Sequence, residues 1–156
     1  MNPQRAAQIA REIIEANHYL VLATADSAGK PWSTPVYFAH IGYRELYWIS
    51  SPAATHSRNI AARAAVGIAV FDSHAQIGTG QGVYISAIAA QVDDTELPPG
   101  ITAFSDRSLT HSGPQWTAAD VTGDAELRLY RATADQHWIL AKDGKPDHRI
   151  PVDLTQ

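Results

Sequence analysis

The stretch Tyr47-Trp-Ile-Ser-Ser-Pro-Ala-Ala-Thr-His-Ser-Arg-Asn-Ile60 gathers the residues best suited to chemistry. It leaves a strand-patterned run through the hydroxyls of Ser50 and Ser51 and enters a short helical run. Thr55 stands where a helix N-cap belongs, so Ser57 and Arg58 fall in the first turn. A cation there opposes the helix dipole, whose amino end is already positive. An anion between them resolves the conflict, because free amides, hydroxyls and a guanidinium together make a phosphate site. The plainer alternative is a solvated Arg58, with Ser50 and Ser51 merely ending a strand. Spacing alone leaves both open.

Other chemistries find less support. There is no Cys, which removes disulfides, thiolate nucleophiles and cysteine-bound metal. The seven His show no zinc spacing. His18, His40, His74 and His137 read as strand-end or surface residues. No Ser sits in a G-x-S-x-G turn. Gly78-Thr-Gly-Gln-Gly82 precedes a strand and opens no helix, the reverse of a dinucleotide fingerprint. The net charge is −4 and no run of Lys and Arg occurs, which argues against nucleic acid as a partner. No apolar run reaches the roughly 18 residues of a membrane span. The amino-terminal segment carries Glu12 and Glu15 in place of an apolar signal core. A cytoplasmic protein with no membrane partner is expected.

The elements that must carry the phosphate segment follow from periodicity. Pro3 to Asn17 is helical, with Ile9, Ile13 and Ile14 on one face and Asn2-Pro3 as cap and first turn. Tyr19 to Ala25 and Trp32 to His40 read as a hairpin around the Asp26–Lys30 turn. Pro35, lacking an amide donor, belongs at an edge, a bulge or a ligand. Further strands are expected at Glu45–Ser50, Ala65–Asp72 and Val83–Val92, then a late pair at Ala125–Thr133 and Gln136–Lys142, and a last one at Ile150–Leu154. Glu96 to Thr122, with Pro98, Pro99, Gly100, Gly113 and Pro114, is expected to hold a short helix and a mobile connection. At 156 residues the chain fits one domain, 1–156. The order suits a mainly β, antiparallel barrel with peripheral helices better than a parallel α/β sheet.

The runs YLVLATADSAGKPWSTPVYF, ELYWISSPAATHSRNI, AAVGIAVFD and GQGVYISAIA, in this order and spacing, resemble the FMN-binding split barrel of the pyridoxamine 5'-phosphate oxidase-like proteins. The resemblance covers His18 to Val92 and is weaker beyond. It implies an antiparallel, Greek-key-like split β-barrel and a homodimer with a flavin at each of two sites along the subunit interface. Trp32, Ser33, Thr34 and Pro35 would run beside the flavin ring. Ser50, Ser51, His56, Ser57 and Arg58 would hold the phosphate, and Gln81, Gly82 and Val83 would start a strand near the flavin. Where the oxidases proper carry an Arg and a Lys on the second strand, this chain has Trp32 and Tyr37 or Phe38, which points away from pyridoxamine-phosphate oxidation itself.

The implied activity is hydride or electron transfer between FMN and a small molecule, the redox step being the cofactor's. No residue of the chain is required as a general acid or base. The substrate would meet the stretch Glu96–Thr122 and the partner subunit. An F420-dependent reductase on the same barrel is the first alternative, disfavoured because Lys30 is the sole Lys before Lys142. A non-catalytic flavin or haem binder, or an interaction dimer without cofactor, is the other.

Overall fold

A computed structural model describes residues 1–155. The elements in chain order are α1 (Pro3–Ala16), β1 (Tyr19–Ala25), β2 (Pro31–Tyr37), β3 (Ala39–Ile41), β4 (Glu45–Ser50), α2 (Thr55–Ala62), β5 (Ala65–Phe71), β6 (Gly82–Gln91), α3 (Leu97–Thr110), β7 (Arg128–Leu140) and β8 (Arg149–Val152). Short 3-10 turns precede and follow α3.

All strand pairs are antiparallel, in the order β2-β1-β5-β6-β7-β4-β3, with β8 on β7. The two ends of that order explain the curl. β2 and β3 are separated by Phe38 alone, yet β2 pairs with β1 at one edge and β3 with β4 at the other. The sheet must therefore bend until its edges approach, which makes it a split barrel. Phe38, fully buried, fills the corner, and its amide donates the last bond of the first ladder to His18 O at 3.2 Å. The expected single strand Trp32–His40 is thus two strands on opposite edges. Pro35 sits on the edge strand opposite Val21, where a missing amide costs nothing.

Alternation sends Leu20 and Leu22, Leu46 and Trp48, Val66, Ile68 and Val70, and Val83 and Ile85 into the barrel. Helix α1 closes one end with Ala6, Ala7, Ala10 and Ile14. Asn2 caps it by accepting from the Arg5 amide at 2.8 Å. β4 is buried on both faces. Its Tyr47 joins Leu129, Leu97, Ile101 and Phe104 in a second core outside the barrel, under α3.

Two further expectations change. The late strand pair is one strand of thirteen residues, β7. Its register against β6 shifts opposite Ser86 and Ala87, leaving Asp135 as an extra residue. Burial switches parity there: Tyr130, Ala132 and Ala134 point inward before it, His137 and Ile139 after it. A bulge and a turn leave the same sequence signature, a break in alternation. Glu96–Thr122 is mostly the fourteen-residue helix α3. Pro98 keeps an extended backbone (φ −70°, ψ 134°) that kinks its start, and the regular turns begin at Pro99, where the absent amide would have no intrahelical partner.

Candidate functional site

The main cavity lies between the β2 edge, the end of β4, the start of α2 and the far half of α3. It has a volume of about 580 Å³. Pro35, Val36 and Tyr37 come from β2, Ile49 and Ser50 from β4, and His56 from α2. Phe104 and Ser108 come from α3, with His111, Gly113, Pro114 and Trp116 from the strap that follows it. His18, Tyr19 and Leu127 complete the wall.

One end is aromatic. Tyr37 meets Phe104 edge-on at 5.6 Å, and Phe104 meets Trp116 edge-on at 5.9 Å. His18 and His111 stack at 3.8 Å between centroids, and the Tyr37 hydroxyl bonds His111 Nδ1 at 2.6 Å. The strap is fixed by its own bonds. Trp116 N donates to Ser105 Oγ at 2.9 Å, and Ser108 Oγ donates to Pro114 O at 2.7 Å. Gly113 is required here, since a Cβ would lie 2.5 Å from Ser108 Oγ. Arg107 ties this wall to α1, donating to the carbonyls of Ile14, Glu15 and Asn17 at 3.2, 3.4 and 2.9 Å. Those carbonyls at the helix end would otherwise lack donors. The guanidinium also lies 4.7 Å over the Phe38 ring.

The other end is polar. His56 Nε2 and Ser50 Oγ are 2.8 Å apart, and burial holds the His56 pKa below the ordinary histidine value. Ala54, not Thr55, is the cap residue of α2, and no side chain caps it. Its first-turn amides thus keep no side-chain acceptor. Asn59, one turn on, is buried and donates to Thr24 Oγ1 at 3.0 Å, fixing the helix to β1.

Of the twelve residues expected to touch a cofactor, Pro35, Ser50 and His56 line this cavity. Arg58 and Ser57 line a separate depression with Ala61, Ala64 and Ala89. The reason is helical geometry: two residues past His56 is a rotation of about 200°. Arg58 remains exposed, and Ser57 Oγ is buried without a partner. Ser51 Oγ accepts from the Ala53 amide at 3.1 Å and shapes the turn. Trp32 and Ser33 are exposed and Thr34 half-buried further along β2, outside the cavity wall. Gln81 spends its side-chain amide on stapling strands: Nε2 donates to Leu140 O at 2.8 Å, and Oε1 accepts from the amides of Gly82 and Leu140. Gly82 and Val83 are buried beside it.

Tyr37, Phe104, His111 and Trp116 were not among the expected contacts, and His18 was read as a surface residue. The signal that could have found them is the Ile101, Phe104, Ser105, Ser108 spacing, one face of a helix. His137, also read as peripheral, is buried in β7, with Nε2 2.8 Å from Tyr43 O. No cluster of three metal-ligating side chains exists among the described residues, and none of their helices is long and apolar enough to cross a membrane.

An antiparallel split barrel with a half-aromatic, half-polar slot at one sheet edge is the architecture of this chain. The chain belongs to the pyridoxamine 5'-phosphate oxidase family, whose model matches residues 7–139. No curated protein matches it by sequence. Among solved structures, it resembles a heme binding protein from Mycobacterium smegmatis at 20% identity and TM-score 0.72, covering 96% of this chain. It spans 59% of that protein's length. It also resembles a FAD-binding protein from Mesorhizobium loti at 21% identity and TM-score 0.66, with coverage of 86% and 93% of the two chains. An F420 reductase aligns at 19% identity and TM-score 0.60, with coverage of 82% of this chain and 94% of its own. At these identities the likeness establishes the fold.

Proposed function

We propose that the chain binds FMN in the main cavity and serves as a flavin-dependent oxidoreductase for a small molecule. The observation that carries this is the division of one slot into a flat aromatic end and a phosphate-sized polar end. A volume of about 580 Å³ is in the range of small-molecule sites. Ser50, His56 and the uncapped amides of α2 would hold the phosphate, and Tyr37, Phe104 and Trp116 would flank the ring system. FMN, when bound, supplies the redox chemistry. The chain's own residues position it, exclude water and donate hydrogen bonds. Of the residues expected at the phosphate, Ser50 and His56 keep that role in this reading, because they line the slot and Arg58 does not.

The same reading includes a homodimer. The outward positions of β1, β5 and β6 include Val21, Ala23, Ala65, Gly67, Ala69, Phe71 and Ile88, with no charge among them. Tyr19 and Pro35 belong to this outer surface and to the cavity wall. A second copy on that face would cover the slot.

Adding FMN is expected to quench Trp116 emission and raise the melting temperature. His56→Ala is expected to weaken FMN by about 1.5–3 kcal/mol, the range for hydrogen bonds to charged groups, while Arg58→Ala leaves affinity within about 0.5 kcal/mol. A protein that neither quenches nor gains stability with FMN ends this reading. The resemblance to heme-binding and F420-dependent proteins makes hemin and F420 the ligands to titrate beside it.

A further inference from the structure

The aromatic end of the slot holds a titratable group, His111, to which cofactor binding gives no role. Tyr37 and His111 come from β2 and from the strap after α3, 74 residues apart in the chain. Arg107 faces the Tyr37 hydroxyl. A guanidinium only donates, whereas a phenol both donates and accepts. Tyr37 can therefore give its proton to a neutral His111 and accept one from the imidazolium, holding the ring in place in either state. The stack on His18 fixes the ring plane. Nε2 of His111 has no partner among the described residues, and the side chain lines the cavity while half-exposed.

We propose that His111 is an acid–base catalytic residue of this cavity. It gives, through Nε2, the proton that accompanies hydride transfer to a planar conjugated carbonyl compound, and Tyr37 is its positioning residue. The inference rests on the FMN reading above, which supplies the hydride. The substrate class follows from the walls: the four aromatic rings of Tyr19, Tyr37, Phe104 and Trp116 and no Asp, Glu, Lys or Arg line the slot, which suits a flat uncharged acceptor. The step balances. A hydride carrying two electrons leaves the reduced cofactor for the acceptor, the C=O π bond opens, and the oxygen takes the proton from imidazolium Nε2. His111 is left neutral and regains a proton from water at its exposed edge.

The surrounding charges tune this residue as an acid. His18 and Tyr19, Tyr37, His40 and Glu15 face this corner from four other segments, with Arg107 and Asp106 from α3. Burial, then the neighbouring His18 and Arg107 charges, hold the His111 pKa below the ordinary value. The group is thus a stronger acid when protonated.

The test has two arms. In cofactor-free protein, the His111 ring is titrated by NMR between about pH 5 and 8, the histidine window. Tyr37→Phe is expected to lower its midpoint, because the charged form loses the stronger bond. In FMN-loaded, pre-reduced protein, oxidation by menadione is followed by stopped flow. The rate should rise towards acid with the midpoint found by NMR. His111→Asn, which keeps a hydrogen-bonding partner for Tyr37 but cannot titrate, should slow it about 100-fold and flatten the profile. An unchanged rate and slope in His111→Asn, or an unmoved midpoint in Tyr37→Phe, overturns the proposal. Should FMN fail to bind, the cofactor reading falls and takes the hydride source with it. That failure shows in the binding titration, before menadione is added.

Discussion

The two hydrophobic cores differ in what they are made of and in what they face. The barrel core is built mainly from aliphatic strand positions such as Leu20, Leu22, Val70, Val83 and Ile139, sealed by α1. The outer core under α3 is smaller, combines Tyr47 and Phe104 with a few aliphatics, and has half-buried Trp116 and Tyr37 packed against it. Of the first, Val36 alone lines the slot, whereas the second, with the side chains packed against it, supplies Tyr37, Ile49, Phe104 and Trp116 to the slot's wall. The barrel therefore supplies stability and a rigid edge, while the α3 layer supplies the shape of the slot. Arg107 is the joint between them, bonded to α1 at one side and stacked over Phe38, the barrel's corner residue.

A cut into the barrel should show as stability alone. Leu22 is fully buried in β1, so Leu22→Ala is expected to cost about 2–5 kcal/mol in a denaturant titration. FMN affinity per folded molecule should stay unchanged, since Leu22 lines no part of the slot. A large loss of affinity in the folded variant would mean that the cores are not separable in this way.

The matching cut in the outer core is Gly100→Ala. An added Cβ would lie 2.4 Å from the Tyr47 ring, which is buried and held by its hydroxyl donating to Glu45 at 2.6 Å. The ring cannot swing away cheaply, so α3 must shift, at about 1–3 kcal/mol. Here FMN affinity should fall with stability, because Phe104 rides on the same helix, one turn on. Calorimetry with and without FMN checks both effects. Equal affinity in the variant would detach the α3 layer from the slot.

The same contrast governs what the sequence revealed. The barrel strands follow from alternation, and β1 and β4 fall where the pattern places them because one face meets a continuous core. The break between β2 and β3 does not show, since both halves alternate and the change is of partner, not of period. The outer layer was harder to read because Pro98, Pro99 and Gly100 are helix breakers in isolation. They are tolerated because the prolines stand at the kinked start of α3 and Gly100 is where Tyr47 leaves no room for a side chain. Both His56 and Arg58 were expected against a phosphate, and only His56 lines the slot. Choosing between His56 and Arg58 requires the rotation of α2 about its axis, and that is set by the buried Asn59–Thr24 bond from a strand 35 residues away.

Acid should weaken both layers at once, by the smallest of these effects. Burial is the leading cause that lowers the pKa of His137 in the barrel, of His56 and His111 around the slot, and of His40 beside them. A histidine whose folded pKa lies below its unfolded value binds more protons when unfolded. Stability therefore rises with pH across that window, is complete above about 6.5, and declines as pH falls towards the folded values. The melting temperature is expected to drop between neutral pH and pH 5.5 or so, in the range of about 5–6.5 where these groups separate from their unfolded behaviour. His137→Gln, which keeps a donor for Tyr43 O, should remove its share of that slope without touching FMN affinity. His56→Gln should remove its share and alter affinity as well. A phosphate dianion favours the charged imidazole, so the bound state raises the His56 pKa and FMN binds more tightly as pH falls. The two opposite pH slopes, one for folding and one for binding, meet at His56 alone, and a His56→Gln variant that kept the binding slope would place the phosphate elsewhere.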